Sequence, residues 1–145
     1  MDFFNSIQTS SSGLSAQRLR MNLISGNLAN VNTTRTREGG PYRRKEAIFA
    51  ARPMNSTFNK ILTDRQKSLG NGVDVNRVYE DPTPPIMKYQ PSHPHANEKG
   101  YVAMPNINPM EEMVNMISAT RGFEANVTAL KAAKAMALKA LEIGR

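Results

Sequence analysis

Residues 108–145 read NPMEEMVNMISATRGFEANVTALKAAKAMALKALEIGR, and this stretch decides the fold. It opens on Asn108 as an N-cap, Pro109 at the first helical position and Glu111 at the third, where a carboxylate can accept from the cap's backbone N–H. Glu111 and Glu112 also complement the positive end of the helix dipole, while Lys139 and Arg145 lie toward the opposite end. Steps of three and four pick out Met113, Met116, Thr120, Phe123, Val127, Leu130, Lys134, Ala137 and Leu141, of which seven of nine are apolar. A helix from Pro109 to Ile143 would be roughly 50 Å long. That exceeds the width of a small domain, so the helix needs a partner along its length.

The N-terminal segment supplies one. The same spacing runs through Ile7, Ser10, Leu14, Gln17, Met21, Ile24, Leu28 and Val31, six of eight apolar. Asp2 suits an N-cap, the cluster Asn30, Asn32, Thr33 and Thr34 offers a stop, and Ser10 to Gly13 is a weak point where the helix is expected to start late or bend. Asn27 and Asn30 flank the last turn, as residues that cap or bridge the helix end or as ordinary loop-entry residues. A sustained seven-residue period predicts a left-handed, coiled-coil-like pairing of the two helices. Ala119, Ala125, Ala129, Ala132, Ala133, Ala135 and Ala140 widen the apolar face toward further neighbours. A lone hairpin buries little area against a backbone ordering cost of about 1–2 kcal/mol per residue. Both ends are therefore expected to be largely disordered in the free monomer and to fold on assembly, with low helicity by circular dichroism in dilute solution.

Between the helices the chain is punctuated. Eight of nine Pro and five of nine Gly fall between Thr33 and Asn108, which disfavours long helices there. Residues 41–50 and 72–80 contain strand-like stretches, the second alternating Val73, Val75 and, after a slip, Val78. Residues 51–71 are polar and poorly periodic, as a loop would be. Pro82, Pro84 and Pro85 force an extended run ahead of IMKYQ, and Pro91 to Pro94 break it again. The expected fold is mainly α with a small β-rich insertion. Residues 1–32 and 109–145 would form one discontinuous helical domain, and 33–108 the middle module.

Composition narrows the function. At 145 residues with 39% hydrophobic content the core is thin, and a partner surface is expected to complete it. The absence of Cys removes disulfides, thiolate nucleophiles and Cys-based metal sites. The N-terminus lacks a basic segment followed by a continuous apolar one, which points to a soluble chain or to export without a cleaved signal. The charge of +7 resides in the middle: residues 33–108 carry twelve basic and seven acidic groups, against two and one in 1–32 and five and four in 109–145.

Four chemical readings are weaker than their bland counterparts. His93, His95 and Glu98 suit metal ligation, but with no further His and no Cys to complete a shell they read as a proline-rich loop. Arg43, Arg44 and Lys45, joined by Arg35 and Arg37, lack any nucleic-acid-binding motif and are diluted by Glu38 and Glu46, so they read as a subunit contact or a solvated basic strand. Lys131, Lys134 and Lys139 lack the aromatic anchors of a membrane-surface helix. Ser10 to Ser12 and Asp74 do not assemble a nucleophile with its base, and Gly39-Gly40 is followed by no phosphate-loop Lys. No enzyme, cofactor, metal, nucleic acid or small-molecule substrate is expected.

Residues 13–36, GLSAQRLRMNLISGNLANVNTTRT, resemble the N-terminal signature of flagellar axial proteins, in which an Asn-x-x-Asn pair closes the first helix. DPTPP at 81–85, PSHPHANEK at 91–99, EGGPYRRK at 38–45 and the run from Gly100 to the end resemble the C-type proximal rod proteins of the flagellar basal body. Arg37 stands where that pattern usually has Pro, altering the loop after the first helix. Phe123 stands where Tyr is common, which keeps the ring and removes a hydroxyl. The resemblance implies a rod subunit on the periplasmic side of the inner membrane, exported by the flagellar type III apparatus. Its partners would be other copies of itself, other rod proteins and the adaptor that joins the rod to the membrane ring. Residue patterning alone leaves open a non-filamentous helical-hairpin adaptor. In either case Ile7, Leu14, Met21, Ile24, Leu28 and Val31 are expected to work by packing with Met113, Met116, Phe123, Val127, Leu130, Ala137 and Leu141, with Asn27 and Asn30 at the helix end.

Overall fold

The structure is a computed structural model that describes residues 3–51 and 72–143. Among the described residues, two long helices bracket four short strands: α1 (Phe3–Ala29), β1 (Lys45–Ala51), β2 (Val73–Glu80), β3 (Ile86–Tyr89), β4 (Tyr101–Met104) and α2 (Pro109–Ile143). The fold is therefore mainly helical with a β insertion. The expected N-cap at Asp2 and most of the expected loop at 51–71 lie outside the described residues.

Helix α1 does not start late or bend at Ser10 to Gly13; it runs unbroken from Phe3. The hydroxyls that weaken a helix in water here bond its own carbonyls: Thr9 Oγ1 donates to Asn5 (2.8 Å), Ser12 Oγ to Thr9 (2.7 Å) and Ser15 Oγ to Ser11 (3.2 Å). Helix α2 begins as its sequence requires, with Asn108 Oδ1 accepting the Met110 N–H at 3.1 Å. Glu111 is exposed. Lys139 directs its charge to Glu142 one turn on (2.7 Å), and the last turn carries no basic residue.

Strands β1 and β2 pair with each other, as do β3 and β4. The second pair is antiparallel, in the register Ile86 to Met104, Met87 to Ala103, Lys88 to Val102 and Tyr89 to Tyr101. Strand β4 carries no strong sequence signal of its own. The connection back from β3 is closed by Asn97, whose side chain accepts the N–H groups of Lys99 and Tyr101. Gly100 has φ +78°, and a Cβ there would lie 2.8 Å from the Tyr89 ring. Gly100→Ala is expected to destabilise this hairpin by about 1–2 kcal/mol from the left-handed backbone alone, read as faster hydrogen exchange in β3 and β4.

By compactness the chain divides into two units, one drawn from Met1–Arg18, Ile48–Arg77 and Thr120–Arg145, the other from Leu19–Ala47 and Val78–Ala119. Each holds part of both helices. In the first unit the helices run antiparallel in close contact: the Asn126 side chain lies over Gly13, and the Gln17 side chain over Gly122. Ala16 and Ala133 are buried there. In the second unit the buried side chains are Ile24, Asn27, Val102, Pro105, Ile107, Glu112 and Ala119. Two of its largest fully buried side chains are thus polar, and they define the site.

Candidate functional site: a buried polar junction

Asn27 lies two residues from the end of α1, and the chain must return to it. The turn at 36–40 makes this possible, with Gly39 and Gly40 at positive φ and Thr36 N–H bonded to the Gly40 carbonyl at 2.9 Å. Tyr42 N–H then bonds the Thr33 carbonyl (3.1 Å), which lays residues 42–45 beside the helix end. Asn30 closes the helix itself: its Nδ2 donates to the Gly26 carbonyl (2.9 Å), and its Oδ1 accepts the Thr33 hydroxyl (3.1 Å).

Asn27 is 1% exposed and uses all four of its hydrogen-bonding positions. Its Nδ2 donates to the Lys45 carbonyl at 2.9 Å and to Glu112 Oε2 at 3.0 Å. Its Oδ1 accepts the Lys45 N–H at 2.9 Å and the Tyr42 hydroxyl at 3.2 Å. The amide thus pairs with the Lys45 backbone as a neighbouring strand would, joining the end of α1 to the start of β1.

Glu112, also 1% exposed, completes the junction from the first turn of α2. A lone carboxylate so buried would be costly, and the second oxygen explains its tolerance: Glu112 Oε1 accepts Arg44 Nε at 2.7 Å. Arg44 also donates to Glu46 through Nη1 at 3.1 Å, and its own carbonyl accepts the Asp81 N–H after β2. Burial pulls the Arg44 pKa down, but the bonds and charges of Glu112 and Glu46 outweigh it, and the guanidinium holds its proton more tightly than usual. One amide, one carboxylate and one guanidinium tie α1, β1 and α2 together, with every partner satisfied.

Two neighbours are expected to make this junction sensitive to alkali. Burial raises the Tyr42 phenol against the lowering effect of Lys45, and the bond to Glu80 (3.0 Å) raises Lys45. Both groups hold protons more tightly folded than unfolded. Their stabilisation is complete below their unfolded values near pH 10 and is lost as pH rises through the higher folded values. Cleavage at residues 42–46 in limited proteolysis is therefore expected to rise above about pH 10, with Lys45→Met showing a shallower pH dependence than the unsubstituted chain.

Arg44 thus corrects the sequence reading of a basic strand. Alternation along extended backbone leaves Arg43 exposed and turns Arg44 inward to Glu112. Neither Glu112 nor Arg44 was legible as a buried pair, because each sits in a local context, a helix N-terminus and a basic run, that explains its charge without a partner. His93 and His95 stack edge-on at 5.4 Å, with His95 Nδ1 bonded to the Thr34 hydroxyl at 2.8 Å.

The packing residues expected from sequence fall at different depths. Ile24 is buried; Ile7, Leu14, Met21, Leu28, Val31, Met116, Phe123, Val127, Leu130 and Ala137 are half-buried. Met113 and Leu141 are exposed, at 46% and 72%. The inward row of α2 combines Met116, Phe123, Leu130 and Ala137 with Glu112, Ala119, Asn126 and Ala133. Ala119 and Ala133 therefore pack inside the chain, whereas Ala125, Ala129, Ala132, Ala135 and Ala140 face outward. Apolar side chains at Met110, Met113, Val114 and Ile117 form an exposed stripe with helical spacing on the first turns of α2.

Long helices, an interior polar tie and outward apolar rows define a structural subunit of an assembly. The family descriptions that match are of that class: residues 7–35 match the flagella basal body rod protein family, and residues 98–143 match the flagellar basal body rod FlgEFG protein C-terminal family. Among curated proteins, the flagellar basal-body rod protein FlgC of Bacillus subtilis is 44% identical over the whole of both chains. FlgC of Borreliella burgdorferi is 46% identical over 99% of this chain and 98% of its own, and FlgC of Salmonella typhimurium is 36% identical over the whole of both. The chain belongs to the FlgC family, structural subunits of the proximal rod of the bacterial flagellar basal body.

Proposed function

We propose that the chain builds the rod by packing its terminal helices, in a coiled-coil-like bundle, against further copies of itself and against other rod proteins. The observation that supports this best is the exposed stripe Met110, Met113, Val114 and Ile117, four apolar side chains at one, four, five and eight along a single helix face. Leu141, Met136 and Phe4 add an exposed apolar surface within the first unit. Residues 1–32 and 109–145 act as the assembling helices and 33–108 as the module that sets their spacing. The seam residues Ile7, Leu14, Met21, Ile24, Leu28, Val31, Met116, Phe123, Val127, Leu130 and Ala137 hold the pair together, and Met113 and Leu141 meet neighbours.

The chain works by position and not by catalysis. It leaves the cell interior through the flagellar type III apparatus, reaches the periplasmic side of the inner membrane, and joins the adaptor at the membrane ring. The helix ends gain their full order on assembly. Photo-cross-linking from positions 113 and 114 in living cells tests the surface. Adducts with the chain itself or with other rod proteins are expected, and a chain that cross-links to neither would overturn the assignment.

A further inference from the structure

Gly13 and Gln17 on α1 face Asn126 and Gly122 on α2, all within the first unit. Each helix thus offers a glycine and an amide one turn apart, and each glycine lies beneath the other helix's amide. A Cβ at Gly13 would stand 3.0 Å from Asn126 Oδ1, and one at Gly122 would stand 3.1 Å from Gln17 Nε2. Asn126 is held flat by donating Nδ2 to the Gly122 carbonyl at 2.8 Å, while Gln17 Oε1 is buried with no hydrogen-bond partner.

Three of the four residues in this quartet work against simple stability. Two glycines weaken their helices, and a buried acceptor without a donor carries a desolvation cost. Residues that break local rules in a fixed geometry mark a position selected for something else. A slide of one turn would put each amide against a side chain instead of a glycine notch, whereas apolar residues at positions 17 and 126 would tolerate several offsets. We propose that Gly13, Gln17, Gly122 and Asn126 are positioning residues that fix the axial register of α1 on α2, and so fix the height at which the outward apolar rows meet neighbouring subunits.

The chain has no Cys, so register can be read by disulfide formation in the full chain in cells. Paired numbers fall on one helix as they rise on the other, which sets Ser6 level with Ala133 and one turn from Ala137, all three lining one apolar hollow of the first unit. In the unsubstituted background Ser6→Cys with Ala133→Cys is expected to cross-link in strong preference to Ser6→Cys with Ala137→Cys. In Gln17→Leu/Asn126→Leu, both pairs are expected to cross-link to comparable extents, and swimming is expected to fall several-fold. Cross-linking that keeps its preference for the 6/133 pair in this variant would overturn the proposal, as would normal swimming with mixed register. A second cycle covers a variant that fails to accumulate: Gly122→Ala is expected to weaken the 6/133 cross-link, and adding Gln17→Ala to restore it. Failure to restore would also overturn the proposal. Cross-linking does not depend on the assembly surface proposed above, so the two readings fail separately.

Discussion

Arg44→Met is expected to weaken the junction by about 3 kcal/mol, the lower part of the range for breaking a buried ion pair. The lower part applies because the Arg44 side chain is 21% exposed while Glu112 is 1% exposed. What remains in the variant is a carboxylate in the interior with only the Asn27 amide to meet it. The reporter is the Lys45 amide, which is held by Asn27 Oδ1 at 2.9 Å and exchanges when the junction opens. Hydrogen exchange in peptides covering residues 42–46 of purified basal bodies should accelerate by about two orders of magnitude. Arg44→Met/Glu112→Gln should recover most of the protection, since a neutral amide at 112 can still bond Asn27 and no longer needs the guanidinium. Equal loss in the single and double variants would show that the charge pair is not what holds the junction.

Leu130→Asp carries the other large effect. Leu130 is half-buried on the inward row of α2, within the first unit. Truncating such a Leu to Ala costs roughly 2–5 kcal/mol, and an aspartate adds the desolvation of a charge. The variant is expected to abolish rod assembly and swimming while the soluble chain still accumulates, as seen by immunoblot of cell extracts. Normal motility would defeat the proposal that this row holds the assembling helices together.

The two effects separate what was legible in the sequence from what was not. Both helices, their approximate limits and two of the strands follow from local signals: the Asn108-Pro109 start, the spacing through Met116, Phe123, Leu130 and Ala137, and the proline-rich interval. Hydrophobicity then favoured Met113 and Leu141 for the inward face. The structure instead turns Glu112, Ala119 and Ala133 inward, one residue earlier at alternate positions of the seam. A small or polar residue gives no hydrophobic signal, and its inward position depends on a partner distant in the chain. Glu112 is interior because Asn27 and Arg44 await it, 85 and 68 residues away. Asn27 itself was visible as a helix-end residue, but its four bonds to Tyr42, Lys45 and Glu112 depend on the return of the chain at Gly39-Gly40.

The central claim is that this chain is a fixed structural part of the rod. Quantitative mass spectrometry of basal bodies washed in detergent and alkali tests it most directly, with washing kept below the pH at which Tyr42 and Lys45 lose their protons. The chain is expected to remain with the rod at a few fixed copies per particle. Its loss from the washed particle, with recovery in a soluble complex bound to other helices, would contradict the account and identify a helical-hairpin adaptor instead.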